Sequence, residues 1–232
     1  MTDVTITFDD EQLASPWHRV PGSAHAILIL PTVMGVSDLE GEFAHRLNAL
    51  GYHAMIGDVF GTASRGAPRE KMFAELGRLK GDRAALLRRI QALYQSLVAQ
   101  NGVDPAKVAV VGYCFGGLCA LDLARAGTPL AATASFHGLF DPPGLPPQPI
   151  PGRVVAYHGW DDPMVLPDAV TALAKELTEA GADWQIHAYG QVGHGFTNPH
   201  AGKMGVAGVA YNALAATRSW DSLEALLAEA FA

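Results

Sequence analysis

Cysteine is scarce in this chain: its 232 residues include two, Cys114 and Cys119. They lie five residues apart in one predicted strand-turn-helix unit, where helical geometry points their side chains in different directions. We therefore expect no disulfide or metal pair, and the sequence predicts no metal and no cofactor. Residues 1–5 lack the basic start and apolar core of a signal peptide, which predicts a reducing, cytoplasmic location.

Long apolar runs and excess positive charge are missing as well. No run approaches the length of a membrane span, and the formal net charge of −7 argues against nucleic-acid binding. We therefore expect neither a membrane nor a nucleic-acid partner, and a monomer by default. A content of 49% hydrophobic and 17% charged residues fits a compact globule. The length suits one large α/β domain covering residues 1–232.

The few cations are unevenly placed. Eight of the sixteen Lys and Arg residues lie between Arg65 and Arg89, against three acidic residues, Glu70, Glu75 and Asp82. Two interpretations remain open: a solvated helix face, which we favour, or a surface that attracts anions.

Short apolar runs alternate with helical patterns along the chain. The predicted strands cover residues 4–8, 26–30, 52–59, 107–111, 130–136, 154–158 and 184–189. The predicted helices cover 38–50, a long segment that includes 86–98, 118–127, 168–180 and the stretch from 207 onward. The alternation predicts an α/β fold with one mostly parallel sheet and helices on both faces. Functional groups in such sheets gather in loops at the carboxyl ends of the strands.

One short motif carries specific chemistry. Gly112-Tyr113-Cys114-Phe115-Gly116-Gly117 lies between an apolar run and a helical pattern. This is the pattern of a nucleophile elbow, a strained turn that presents a reactive side chain between a strand and a helix. The glycines leave room where a Cβ would clash. Cys114 is therefore the candidate nucleophile, with an inert buried thiol as the alternative; we prefer the inert interpretation for Cys119.

A thiol nucleophile needs a base, and the base needs an orienting acid. In this architecture the chain order is nucleophile, acid, histidine. Asp161 and Asp162 follow a predicted strand, although either could instead cap the next helix. His194 comes after them between two glycines, which favours it as the base. His137 and His158 also lie at strand ends, so position alone does not eliminate them.

Four segments together resemble the dienelactone hydrolase family of α/β-hydrolases, from about residue 25 to the C-terminus. They are Gly-Tyr-Cys-Phe-Gly-Gly at 112–117, His-Gly-Trp-Asp-Asp-Pro-Met-Val at 158–165, Gly-His-Gly-Phe at 193–196 and Leu-Pro-Thr-Val-Met-Gly-Val at 30–36. The elbow and histidine motifs are shared with many hydrolases. Their combination with cysteine at the tip is more specific.

The resemblance implies an α/β-hydrolase fold and a triad in which Cys114 is the nucleophile, Asp162 the acid and His194 the base. It also implies an oxyanion hole formed by the backbone N–H groups of Phe115 and Val33. The N–H after the nucleophile begins a helix, and so suits developing negative charge.

Three departures from the family pattern bear on the substrate. Thr32 occupies the place of a glutamate that contacts the resting thiol, and Asn198 that of an arginine that grips the substrate carboxylate. Arg69 and Phe73 are candidates for an Arg–Tyr pair of the family, but their alignment is open. We expect the hydrolase machinery to be intact and dienelactone itself not to be the substrate.

Loop positions suggest an apolar, aromatic substrate pocket. The candidate substrate-binding residues are Met34, Phe60, Arg69, Tyr113, Trp160 and Phe196. The sequence thus predicts an enzyme that hydrolyses a small ester or lactone through a cysteine nucleophile. A non-catalytic ligand-binding protein on a hydrolase fold and a redox-sensing cysteine protein are the alternatives.

Overall fold

A single sheet organises the computed structural model, which describes residues 2–232. Its eight strands are β1 (Thr2–Phe8), β2 (Glu11–His18), β3 (Ala26–Leu30), β4 (His53–Ile56), β5 (Val108–Tyr113), β6 (Ala132–Phe136), β7 (Arg153–Gly159) and β8 (Asp183–Tyr189). Their spatial order is β1-β2-β4-β3-β5-β6-β7-β8. The β1–β2 and β2–β4 pairs are antiparallel, and the other five pairs are parallel.

Helices cover both faces of this sheet. They are α1 (Asp38–Ala49), α2 (Arg69–Gly81), α3 (Arg83–Val98), α4 (Phe115–Arg125), α5 (Pro167–Glu179) and α6 (Ala213–Ala230), with short 3-10 turns at Thr62–Ser64, Pro105–Lys107 and Ala201–Met204. Alternate side chains of β3 enter opposite cores: Leu28 and Leu30 pack with α2, α3 and α4, whereas Ile27 and Ile29 pack with α1 and α6. Because β3 is buried on both faces, its sequence is a continuous apolar run. The predicted fold class is confirmed.

The strand β2, which lies between β1 and β4, is absent from the sequence-based prediction. Its segment contains Pro16 and a broken apolar pattern, both of which count against a strand. Asp9 and Asp10, at φ 45° and 64°, turn the chain tightly, so that β2 pairs antiparallel with β1 at the margin of the sheet.

Two helical boundaries also differ from expectation. Where the sequence predicted one long helix that includes 86–98, the structure has two, α2 and α3, and α2 shows little apolar periodicity because it buries only Met72 and Leu79. The C-terminal helix begins at Ala213 rather than at 207, since the Asn212 side chain caps it by accepting from the Ala215 N–H. Residues 207–212 instead run beside His194, whose N–H donates to the Gly208 carbonyl over 2.8 Å.

The parallel strands deliver their following loops to one edge of the sheet. Gly112 pairs with Leu30 and with Ser135, so the segments after β3, β5 and β6 begin side by side. Gly159 pairs with Tyr189, which places the loops after β7 and β8 next to each other at the same edge. All predicted site motifs follow these strands. Separately, no helix within residues 2–232 is long and apolar enough to cross a membrane.

Candidate active site

The turn between β5 and α4 has the geometry of a strained elbow. Cys114 has φ 55° and ψ −115°, a backbone conformation that is costly for any residue with a side chain. Gly112 faces the Gly116 carbonyl, and Gly116 faces the Leu30 carbonyl, so closely that a Cβ at either glycine would collide with backbone atoms. Cys114 remains partly exposed to solvent. The motif therefore presents the Cys114 side chain at the tip of a tightly packed turn.

Two backbone N–H groups beside this turn are free. Phe115 opens α4, and Val33 lies in residues 31–35, which we call the oxyanion loop. Neither N–H donates a hydrogen bond to an acceptor within residues 2–232. The contact between Gly116 and the backbone of Leu30 and Pro31 holds the loop against the elbow. Two free donors on adjoining segments are what an oxyanion hole requires.

Asp162 and His194 form a buried pair in the neighbouring loops. His194 Nδ1 donates to Asp162 Oδ2 over 2.7 Å, and the two residues are 4% and 1% exposed. The other carboxylate oxygen, Oδ1, accepts from the Met164 N–H over 2.8 Å. Gly208 holds the histidine loop through its contact with Gly193, where a Cβ would meet the Gly208 carbonyl. The carboxylate thus fixes the tautomer that leaves His194 Nε2 free to act as a base.

The electrostatics of His194 favour its cationic form. Burial is the largest influence and lowers the pKa, but the hydrogen bond to Asp162 and the nearby Cys114 side chain outweigh it and raise the pKa to about 10. Nε2 makes no aligned hydrogen bond within residues 2–232, so the thiol and the ring are neighbours without ideal geometry. Such bonds commonly tighten when substrate binds.

The competing residues occupy other positions. Asp161 is exposed. His158 is fully buried, and neither of its ring nitrogens has a hydrogen-bond partner within residues 2–232. His137 packs against His194 with ring centroids 5.2 Å apart, and its Nε2 forms a hydrogen bond of 2.8 Å with Thr197 Oγ1. Burial, and secondarily His194, lower the pKa of His137 well below its ordinary value, so its ring is neutral. Among these candidates the geometry pairs His194 with Asp162.

Three of the candidate substrate-binding residues are core residues instead. Tyr113 stacks on Phe43 with centroids 4.1 Å apart, and Phe196 is fully buried against His137. Phe60 packs on Phe115. Aromatic side chains suit both core packing and ligand contact. The burial of these three shows that they pack in the core. Phe60, Tyr113 and Phe196 are therefore core residues and not the substrate contacts that the sequence predicted.

The remaining candidates are accessible. Met34 and Trp160 are 42% and 44% exposed. Arg69 lies over the Phe73 ring at 5.3 Å and donates to the Met204 carbonyl over 2.9 Å. Arg69 therefore bridges α2 to the turn at Ala201–Met204, and it forms no ion pair within residues 2–232.

The two other departures from the family pattern have local structural roles. Thr32 Oγ1 accepts from the Met34 N–H over 3.3 Å inside the oxyanion loop. Asn198 Oδ1 accepts from the His200 N–H over 2.8 Å. An amide held in a local turn does not replace an arginine as a carboxylate grip.

One buried residue near the site was missed by sequence reasoning. Glu40, on the first turn of α1, is fully buried and accepts from the Thr32 N–H over 3.1 Å. A glutamate at the start of an amphipathic helix looks like a solvated dipole partner. The signal that could have found it is its spacing, one helical turn after Ser37, in the pattern of a capping pair.

Comparison with known proteins gives this arrangement a family. The sequence model of the dienelactone hydrolase family matches residues 13–231. The chain belongs to the dienelactone hydrolase family. This family member is thus a hydrolase of the α/β-hydrolase superfamily, as the sequence motifs predicted.

Individual proteins similar to this dienelactone hydrolase family member are known. A dienelactone hydrolase-like promiscuous phosphotriesterase from metagenomic libraries has 34% identity and a TM-score of 0.91, covering 99% of this chain and 98% of its own. A solved structure named m3DLH has 35% identity and a TM-score of 0.90, covering 99% and 98%. An uncharacterized protein of Caenorhabditis elegans is 34% identical over 147 residues, 62% of this chain and 93% of its own.

Proposed function

We propose that this chain hydrolyses small carboxylic esters or lactones by transferring the acyl group to Cys114. One observation carries the proposal: a partly exposed cysteine at a strained turn lies beside two free N–H groups and a buried His–Asp pair. An inert buried cysteine needs none of these neighbours. Acyl transfer needs all of them.

In the acylation step, His194 Nε2 takes the thiol proton and the thiolate attacks the substrate carbonyl carbon. The raised pKa of His194 favours this transfer, because a cationic ring stabilises the thiolate beside it. The carbonyl oxygen gains negative charge and accepts from the N–H groups of Val33 and Phe115. The C–O bond then breaks, and the departing alkoxide takes the proton from His194.

In the deacylation step, the neutral His194 ring takes a proton from a water molecule that attacks the thioester carbonyl. The second tetrahedral intermediate uses the same two N–H donors. Collapse expels the Cys114 thiolate and releases the carboxylic acid. Asp162 keeps the ring in the correct tautomer and stabilises its cation in both steps.

The test is turnover of p-nitrophenyl acetate by four variants. We expect Cys114→Ala and His194→Ala to lose at least about a thousandfold in kcat, Asp162→Asn about a hundredfold or more, and Cys114→Ser to keep partial activity. Asp161→Asn, an exposed neighbour of Asp162, is the matched control and should retain wild-type turnover. Wild-type activity in Cys114→Ala would overturn the nucleophile assignment.

Experiments on the wild-type protein test the two alternatives, a ligand-binding protein and a redox sensor. If the protein only binds a ligand, iodoacetamide should not label Cys114 selectively and no ester should be turned over. A redox sensor predicts reversible oxidation of Cys114 with a resolving thiol, but Cys119 is fully buried, and burial raises its pKa well above the ordinary value, so it resolves poorly. Mass spectrometry after mild peroxide would reveal such a pair.

The substrate class follows from the missing carboxylate grip. Because the Asn198 side chain is held in its own turn, we expect neutral esters to be preferred over esters that also carry a carboxylate. Arg69 is the one positively charged residue among the candidate substrate-binding residues. A panel of neutral and anionic esters assayed with wild type and Arg69→Ala decides its role: a loss restricted to anionic esters would assign Arg69 to the substrate, and equal rates would assign it to the surface.

The likeness to a promiscuous phosphotriesterase supports a second candidate activity, cleavage of phosphotriesters. The thiolate would attack phosphorus, and the P–O bond to the leaving group would break while the two N–H donors hold the phosphoryl oxygen. Paraoxon tests this directly. Release of p-nitrophenolate by wild type and none by Cys114→Ala would support it, and no release by wild type would exclude it.

A further inference from the structure

The oxyanion loop is held by an unusual set of bonds. Its own turn is closed by the Gly35 N–H, which donates to the Thr32 carbonyl over 3.0 Å, with Gly35 at φ 71°. Met34 donates to Thr32 Oγ1. Both hydrogen bonds of the turn are thus accepted by Thr32. The direction of the Val33 N–H therefore depends on where the Thr32 backbone is held.

Glu40 fixes that backbone from behind. Its Oε1 accepts from the Thr32 N–H over 3.1 Å, and its Oε2 accepts from the hydroxyl of Ser37, the residue before α1. The side chain is 0% exposed and forms no ion pair within residues 2–232. Burial, the largest influence, raises its pKa despite the hydrogen bonds from Ser37 and Thr32. From β5 the buried phenol of Tyr113 faces the same charge, and Glu40 adds to the rise in the Tyr113 pKa that burial causes.

A carboxyl in this position costs stability. An apolar side chain of similar volume would avoid the desolvation of a carboxylate that has no cationic partner. This loss of stability is tolerable if the carboxylate has a function that an apolar side chain cannot have, namely to accept a hydrogen bond from a fixed position. Glu40 is too buried to touch substrate, so that function acts through Thr32.

We propose that Glu40 is a positioning residue, which holds the Thr32 amide so that the Val33 N–H is preorganised for the transition-state oxyanion. This rests on the proposed ester hydrolysis and names a further residue for it. Oxyanion donors act by being fixed before the reaction, and a displacement of about 1 Å costs about a hundredfold in rate. Losing the acceptor should therefore lower kcat and leave the affinity for substrate nearly unchanged.

The test compares two reactions of the same thiol. Ester hydrolysis uses the oxyanion hole, whereas alkylation of Cys114 by iodoacetamide displaces iodide and forms no oxyanion. In Glu40→Met we expect kcat for p-nitrophenyl acetate to fall about tenfold to a hundredfold, KM to stay within about twofold, and the alkylation rate to match wild type. Glu40→Gln should restore most of kcat, because its amide oxygen can still accept from Thr32.

Four outcomes are decisive. Wild-type kcat in a folded Glu40→Met protein would overturn the proposal. An equal loss in hydrolysis and alkylation would also overturn it, since Glu40 would then act on the thiol or on His194. Should Glu40→Met not fold, Glu40→Asp carries the test: it keeps the charge but shortens the reach to Thr32, so retention of wild-type kcat would again overturn the role. Absence of hydrolysis in wild type itself would refute the proposed function instead.

Discussion

At the scale of single residues, the site depends on charges placed inside the protein. Burial alone would lower the pKa of His194, but its neighbours Asp162 and Cys114 raise it. Glu40 has no cation and keeps its raised pKa. In the proposed mechanism, the first arrangement supports the nucleophile, and the second holds the loop that receives the oxyanion.

The raised pKa of Glu40 predicts a pH-dependent stability difference between wild type and Glu40→Gln. Near the ordinary carboxyl pKa of 4.5 and below, the Glu40 carboxyl is neutral in the folded state and costs little. As pH rises through the raised folded-state pKa, wild type loses stability that a non-titrating glutamine keeps. Urea unfolding from pH 4.5 to 8 should show the free energy of unfolding of Glu40→Gln gaining on that of wild type. A gap independent of pH would contradict the burial of an ionised carboxyl.

The residues that the sequence revealed are those with a backbone signature. Gly112, Gly116 and Gly193 lie where no Cβ fits, and the sequence alone shows the glycine at each of these positions. Glu40 has no such mark, because its role depends on how α1 packs behind the oxyanion loop. The burial of Tyr113 and Phe196 was likewise not visible in the sequence, because the rings that cover them, Phe43 and His137, come from distant segments.

At the scale of elements, α4 must approach both β3 and β6 closely for the elbow to form. A Cβ on Gly116 would collide with the Leu30 carbonyl, whereas Gly77 in α2 has open space around it. We expect Gly116→Ala to lose about 1–3 kcal/mol of stability and most of the proposed esterase activity. Gly77→Ala should gain about 0.5–1 kcal/mol from helix propensity with unchanged activity. Thermal unfolding and turnover of both variants check this, and equal effects would refute it.

The far end of α4 is fixed by a buried ion cluster. Asp122, 1% exposed, pairs with Arg83 of α3 at 2.7 Å and with Arg125 at 3.3 Å. Asp122→Ala leaves two poorly exposed guanidiniums without this partner, so we expect a loss of about 3–5 kcal/mol. Removing the exposed Lys175–Glu179 pair by Lys175→Ala should cost at most about 0.5 kcal/mol. Urea unfolding of the two variants gives the comparison; a similar small loss in both would mean that the cluster is not stabilising.

Elements with a strong apolar signal were predictable from the sequence. The buried strands β3, β5 and β7 have continuous apolar runs, and their predicted positions agree with the structure. The strand β2 and the helix α2 are stabilised by what packs on them rather than by their own composition. Tertiary context therefore decided the elements that local pattern did not reveal.

At the scale of the whole molecule, net charge influences which substrates arrive. A formal charge of −7 repels anionic esters over distances that salt shortens, since the Debye length falls from about 30 Å at 0.01 M to about 8 Å at 0.15 M. We expect kcat/KM for an ester bearing a carboxylate to rise over that range and kcat/KM for a neutral ester to stay constant. A fall for the anionic ester would indicate that attraction by Arg69 outweighs the overall field.

The connection between β6 and β7 contains no helix and is anchored at both ends. Arg125 holds the carbonyls of Phe140 and Asp141, and the Ile150 N–H donates to the Ala180 carbonyl. Between these anchors Gly144 has positive φ and open space, at the end of α4 opposite Cys114, about 16 Å along the helix. A peptide grafted at Gly144 would therefore enlarge the protein for less than about 1 kcal/mol of loop entropy without reaching the thiol. We expect the protein to tolerate an inserted peptide at Gly144, and an unchanged turnover rate of the protein that carries the insertion would confirm this.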